Sequence, residues 1–303
     1  MPNNRFLLRV PIYFCFLVPG LALLPTTTSA ASACVWRVVD AKAPFYLVGT
    51  IHALSGNDYP LPKPYNQALH DSKRLLFELS PDPRSNFGHY FVRASIYPKG
   101  DTIAHHVRPQ TYQYLAKNFQ ISNWATKGWR IGDYLFDTWD QMRPWSIAYM
   151  WGIHGYSDIY SEYGVDNHMG FQARRMGKET GGLETDLEHI EVLKGMADID
   201  AELTLLDAMV RGDKRRDDYN RVRAAWKAGD LGPIAAEGER SRRLNLGGEL
   251  RLLDYRNLRW MKRIEAEIAS GQPTAIVVGT GHLVGPNNLR ELLEKHGHKI
   301  EQL

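Results

Sequence analysis

Two segments of the 303-residue sequence share one design: Phe45-Tyr46-Leu47-Val48-Gly49-Thr50-Ile51-His52 and Ala275-Ile276-Val277-Val278-Gly279-Thr280-Gly281-His282. In each, an apolar, β-branched run stops at a glycine and a histidine follows three residues later. Imidazole titrates near neutrality and ligates metals, so a pair of them suits proton transfer or ion binding. Glu78 joins them, because in Leu75-Leu76-Phe77-Glu78-Leu79 a carboxylate stands among residues expected to be buried, which is costly unless its charge is compensated. A metal ion, two imidazolium groups or one of the many arginines would compensate it. Two histidines and a carboxylate are a plausible ligand set for zinc, manganese or cobalt, with positions left open for water and substrate. Water on such an ion ionises near neutral pH and attacks a carbonyl. Without an ion, His52, Glu78 and His282 could instead act as base, orienting acid and carbonyl-polarising group. No HExxH, GxSxG, P-loop or GxGxxG occurs, so any metal site is assembled from distant strands.

The elements that would position these groups alternate at both ends of the chain. Val35 to Val39 and Phe45 to Val48 read as a hairpin or two successive strands, Tyr65 to Lys73 as a helix, and Arg74 to Ser80 as a strand buried on both faces. Near the C-terminus, Pro273 to Gly279 is a buried strand, Asn287 to His296 a helix and Lys299 to Leu303 a terminal strand. Between them the pattern is helical. Thr185-x-x-Glu188 is a capping box opening an apolar series at Leu187, Ile190, Leu193, Met196, Ile199, Leu203, Leu206 and Met209. A charged break at Arg211 to Asp218 follows, then two helical stretches to Arg243. A last helix carries Leu246, Leu250, Leu253, Met261, Ile264 and Ile268 on one stripe and stops at Ser270-Gly271. Asn257 fills a slot of that stripe and must find partners: a polar cavity shared with Arg256, or backbone carbonyls. This pattern predicts an α/β fold, a mixed, largely parallel sheet flanked by helices with a helical insert. In such sheets ligands bind beyond the carboxyl ends of the strands, which is where both histidines would stand. Trp124, Trp129, Trp139, Trp145 and Trp151 fall between residues 84 and 163, either as core or as an aromatic wall over a cleft.

Hydrophobic and charged residues make up 44% and 23%, ordinary for a globular chain, which argues against disorder and fibrous arrays. The formal charge is +3, and Arg5 and Arg9 are the only charges in the first 33 residues, so the remainder is nearly balanced and offers no basic face for a nucleic acid. Val10 to Leu24 is an apolar run after those arginines and before small residues, the pattern of a cleaved signal peptide; it is too short for a stable membrane span. The expectation is a signal at 1–33 and a single domain at 34–303, exported to the periplasm or secreted. Cys34 after Ala31-Ser32-Ala33 loosely matches a lipoprotein cleavage site but lacks the large aliphatic residue expected three positions earlier. As the other cysteine, Cys15, lies in the removed part, no internal disulfide is expected, and Cys34 at the mature terminus is a poor catalytic thiol.

Taken in order, VWRV at 35–38, YLVGTIHAL at Tyr46 to Leu54, LLFELS around Glu78, GVDNHM at Gly164 to Met169, GGLET at Gly181 to Thr185, Arg256-Asn257, and VVGTGHLVG at Val277 to Gly285 resemble the TraB/GumN family, whose animal relatives are the Tiki proteins. The resemblance covers essentially the whole mature chain. It implies a fold shared with the erythromycin-esterase and ChaN-like superfamily, and an active site built from His52, Glu78 and His282. For Tiki-like members it implies a metalloprotease dependent on manganese or cobalt rather than zinc, acting on a peptide or protein. It also points to Asp166, Glu184, Arg256 and Asn257 as groups that bind substrate or support the site, with His154 and His168 as further ligands or surface residues. Other branches imply inhibition of peptide signalling, metal-independent esterase action or non-catalytic haem or peptide binding.

Overall fold

The apolar runs before the two histidines form neighbouring central strands. In the computed structural model, which describes residues 32–121, 129–131, 134–136, 139–153, 158–212 and 214–303, the chain runs β1 (Val35–Val38), β2 (Phe45–Thr50), α1 (Lys63–Asp71), β3 (Arg74–Phe77), α2 (Phe87–Ala94), α3 (Pro109–Ile121), β4 (Trp129–Ile131), β5 (Tyr134–Phe136), α4 (Pro144–Ile153), α5 (Val165–Arg175) and β6 (Glu179–Gly182). It continues through α6 (Asp186–Lys194), α7 (Asp198–Arg211), α8 (Lys214–Lys227), α9 (Gly232–Leu244), α10 (Leu246–Glu249), a π-helical turn (Leu250–Asp254), α11 (Tyr255–Ser270), β7 (Thr274–Gly279), a 3-10 turn (Thr280–Leu283), α12 (Leu289–Lys295) and β8 (Ile300–Gln302). The expected signal segment lies outside the described residues, apart from Ser32 and Ala33.

Six strands make one mixed sheet in the order β6-β3-β7-β2-β1-β8. β6, β3, β7 and β2 are mutually parallel, while β1 pairs antiparallel with both β2 and β8. β2 and β7 are buried at every position, as continuous apolar runs covered on both faces must be. Their register sets Thr50 beside Gly279 and Gly49 beside Val278.

Helices fill two insertions, α2 to α5 after β3 and α6 to α11 after β6. The expected apolar series from Leu187 to Met209 is divided: α6 ends at Lys194 and α7 restarts at Asp198, leaving Leu187 and Ile199 exposed while Ile190 and Met196 are buried, and in α7 Leu205, outside the series, is the buried leucine. The charged break is also shorter than expected, since α8 begins at Lys214 inside it. A similar slip affects the last stripe. Met261, Ile264 and Ile268 are buried in α11, but Leu246, on the far side of the π turn, is 54% exposed. Of the clustered tryptophans, Trp139 and Trp145 are buried in helical cores; Trp124 and the side chains of Trp129 and Trp151 lie outside what is described.

Candidate functional site

Because β2 and β7 are parallel neighbours, they release their following loops at the same edge of the sheet, and His52 and His282 meet there. β3, on the other side of β7, ends at Phe77 and delivers Glu78 at the strand mouth rather than inside the strand. His52 Nε2 lies 3.7 Å from Glu78 Oε1, and His282 Nε2 lies 3.6 Å from Glu78 Oε2. Glu78 Oε1 also accepts the Gly279 N–H at 2.7 Å. Gly279 is a glycine for want of room: a Cβ there would stand 2.9 Å from His52 Nε2 and 3.2 Å from Glu78 Oε1.

Each imidazole is tied at its other nitrogen. His52 Nδ1 donates to Asp166 Oδ1 at 3.1 Å, and His282 Nδ1 donates to Asn257 Oδ1 at 2.6 Å. Asp166 sits in the first turn of α5, whose start is pressed onto the His52 loop: Val165 N–H donates to Ile51 O, and a Cβ on Gly164 would fall 2.2 Å from His52 O. Asn257, on α11, spends its amide N–H groups on Asn287 O and His282 O, so it finds the backbone carbonyl partners that are one of the two expectations for it, while its Oδ1 serves His282. A partner at Nδ1 fixes the tautomer and leaves Nε2 as the acceptor nitrogen, which on His282 faces Arg256 Nη1 at 3.2 Å.

Arg256 fills the space between the carboxylates. Its Nη2 donates to Glu78 Oε2 at 2.6 Å and to Glu184 Oε1 at 2.7 Å, and its Nη1 approaches His282 Nε2 at 3.2 Å. The arginine alternative for neutralising Glu78 is therefore realised, beside the imidazoles. Glu184 is fully buried at its side chain and accepts further from Arg259, Trp260 Nε1 and His189 Nδ1, the last at 2.7 Å.

His189 did not emerge from sequence reasoning, although a signal was present. With Thr185 as N-cap, Glu184 and His189 occupy the two places where a hydrophobic staple would fasten the chain to its helix. Here that staple is a carboxylate and an imidazole.

The charges follow from these contacts. Burial would raise Glu78, but the His282 imidazole and the Arg256 guanidinium hold it well below the usual carboxylate range. Burial acts likewise on Glu184, and hydrogen bonds from His189 and Arg256 bring it down to about 2. His282, buried, is lowered from the ordinary histidine value by desolvation. On His52 desolvation also works downward, but the Asp166 and Glu78 carboxylates outweigh it and raise the group to about 9.

A cleft of about 1030 Å³ opens onto His52, Glu78, Asp166 and His189 and continues along Phe87, Phe91, Trp145, Tyr149, Leu193 and Met196. Trp145 is thus both core and wall. As donors, two imidazoles and a carboxylate suit a divalent ion, and atoms sharing one ion at bond lengths of ~2.0–2.2 Å lie ~3.0–3.5 Å apart. The observed 3.7 and 3.6 Å, each to a different oxygen of Glu78, are slightly wider, and among the described residues no group of three His, Cys, Asp or Glu is arranged to hold an ion. The donor types, and the tie at each Nδ1, fit the group. His168 packs instead on the Tyr59 ring, centroids 4.9 Å apart, and His154 lies outside the described residues. Cys34 is buried, its thiol pushed up to about 12 chiefly by desolvation; a lipid on that sulfur would have to pull β1's start out of the core.

The family described as TraB/PrgY/gumN matches residues 34–302. Among curated proteins, "Metalloprotease TIKI2" and "Metalloprotease TIKI1" of Danio rerio are each 22% identical to this chain, over alignments covering 91% of it and 62% and 64% of their own lengths. The chain thus spans less than two thirds of these relatives. No solved structure matches.

Proposed function

This chain belongs to the TraB/PrgY/gumN family, and on that premise we propose that it is an exported, metal-dependent hydrolase of peptide bonds. His52, Glu78 and His282 would hold the ion, manganese or cobalt in preference to zinc. The observation that carries this reading is the convergence of two imidazole Nε2 atoms on the two oxygens of one carboxylate, at 3.7 and 3.6 Å, each ring tied back at Nδ1. When bound, the ion supplies a water ionised near neutral pH and polarises a carbonyl.

The chain's own groups do the rest. Asp166 and Asn257 keep both Nε2 atoms aimed at Glu78. Arg256, held by Glu184, is a fixed cation beside Glu78 and His282 and offsets the charge of the buried carboxylate. The apolar cleft takes the flanking side chains of an extended peptide. Export rests on the apolar N-terminal segment; no helix among the described residues is long and apolar enough to cross a membrane.

The test is ion analysis of the purified protein after dialysis against manganese or cobalt, paired with cleavage of a quenched-fluorescence peptide library. A stoichiometric ion and turnover that vanishes in chelator and in Glu78→Gln support the reading; no bound ion and no ion-stimulated cleavage overturn it. A second reading, ion-independent ester hydrolysis, draws on Arg256 already neutralising Glu78, and requires activity that persists in chelator.

A further inference from the structure

We propose that His189 is the proton shuttle of the reaction, taking a proton from the attacking water and giving it to the leaving amine. The inference rests on the hydrolase reading and adds a catalytic residue to it. If His52, Glu78 and His282 are all committed to an ion, none of them is free to protonate a leaving group, and an amide does not break without that proton. Among the titratable side chains lining the cleft, Asp166 is held by His52 and Glu78 by Arg256, and Asp207 is paired with Arg211 and Arg240. His189 is the one whose basic nitrogen is uncommitted: its Nδ1–H donates to Glu184, and its Nε2 makes no hydrogen bond among the described residues while the ring borders the cleft edge-on to Phe87.

The residue is also placed and backed for the task. Arg256 Nη2 touches Glu78 Oε2 at 2.6 Å and approaches His189 Nδ1 at 3.3 Å, so one guanidinium nitrogen stands between Glu78 and the Nδ1 edge of the ring. Glu184, buried and anchored by two arginines and Trp260, stands ready to stabilise the imidazolium. This is the relation of carboxylate to histidine that orients a general base in hydrolases of unrelated fold. Three histidines thus surround Arg256 and Glu78, tied at Nδ1 by Asp166, Asn257 and Glu184 in turn, and the third serves the cleft rather than Glu78.

In the step, the water oxygen bonds to the carbonyl carbon as Nε2 takes one of its protons. The C–N bond then breaks, its electron pair stays on nitrogen, and that nitrogen receives the proton from Nε2, returning His189 to its starting tautomer. Glu184 and Arg256 are the charged groups in contact with the ring.

His189→Gln, loaded with manganese, tests this against two probes, a quenched-fluorescence peptide library and 4-nitrophenyl acetate, whose leaving group needs no proton. Peptide cleavage should fall by ~10²–10⁴-fold and ester cleavage by at least tenfold less, with manganese binding and melting temperature unchanged. Equal losses on both probes, retained peptide cleavage, or loss of manganese binding would overturn the proposal. A wild-type protein that cleaves neither probe removes the hydrolase reading itself and the shuttle with it. Independently of any variant, nitrogen-15 spectra of the wild-type imidazoles should show His189 carrying its proton on Nδ1, and a proton on Nε2 alone would overturn the assignment.

Discussion

Gly49 and Gly279 stand one register step apart on adjacent strands, and each has a different reason to lack a side chain. Gly49 is enclosed by packing: its N–H donates to Cys34 O, its carbonyl accepts from Tyr65 and Trp226, and a Cβ would meet Leu283 Cδ1 at 2.8 Å. Gly279 is enclosed by His52 and Glu78, the groups proposed to react. Neither has a positive φ, so close approach, not backbone freedom, selects glycine at both. The histidines that follow differ in the same sense. His282 is 3% exposed and rests on Trp260, whereas the His52 side chain is 62% exposed and tied at Nδ1 to Asp166 of α5. One arm is fastened into the core; the other is set against it from outside.

The contrast is broken most directly at the glycines. Gly279→Ala should lower peptide turnover on the order of 10²-fold, the cost of displacing reacting groups by about an ångström, with little change in melting temperature. Gly49→Ala should instead lower stability by about 1–3 kcal/mol through overpacking and leave turnover per folded molecule near wild type. Denaturant titration and initial rates on both variants check this, and matching profiles would erase the distinction.

A smaller effect is expected one contact further out. Asp166→Asn should weaken manganese affinity by ~10–100-fold, as loss of a ligand-orienting partner does, at almost no cost in stability. Asn257→Ala should cost about 1–3 kcal/mol, because it strands the buried His282 Nδ1–H. Equilibrium dialysis and urea melts separate the two.

The smallest expected effect extends the contrast to carboxylates. Glu78 is held down by cations, whereas Glu249 in the helical layer is raised to about 7, first by burial and then by Asp254, Asp207 and Glu237 working against Arg242. A carboxyl raised on folding favours the protonated native state, so its stabilisation is complete below the ordinary value of 4.5 and fades as pH rises through about 7. Glu249→Gln should therefore match wild type at pH 5 and melt higher at pH 8, on a scale of about 2–4 °C per kcal/mol for chains of roughly this size. A variant that melts lower at pH 8 would reverse the assigned sign.

How much of this was legible depended on the range of the interaction. Val48-Gly49 and Val278-Gly279 announce buried strands that stop, and parallel pairing then brings His52 to His282 with no further information. Thr185-x-x-Glu188 likewise marks the start of α6, where both halves of the capping box form. Arg256 was visible as a neighbour of Asn257 and through the family resemblance, without a partner. That its guanidinium would cross to Glu78 and Glu184 depends on a fold that brings residues 178 and 72 positions apart together, and no local pattern encodes that. The split at Gly195 was hidden because Leu193, Met196 and Ile199 keep helical spacing straight across it.

The five residues from Leu250 to Asp254 wind as a π-helix immediately before Arg256 and Asn257. An extra residue in one turn shifts everything downstream by ~100° about the axis, which is why Leu246 looks into solvent while the stripe it belongs to on paper is buried below. A plain continuation of α10 would rotate the arginine and the asparagine off the sheet edge together. The angular setting of Arg256 and Asn257 is thus stored in a winding fault one turn upstream, so an insertion or deletion there would swing both away from Glu78 and His282 without altering any polar residue.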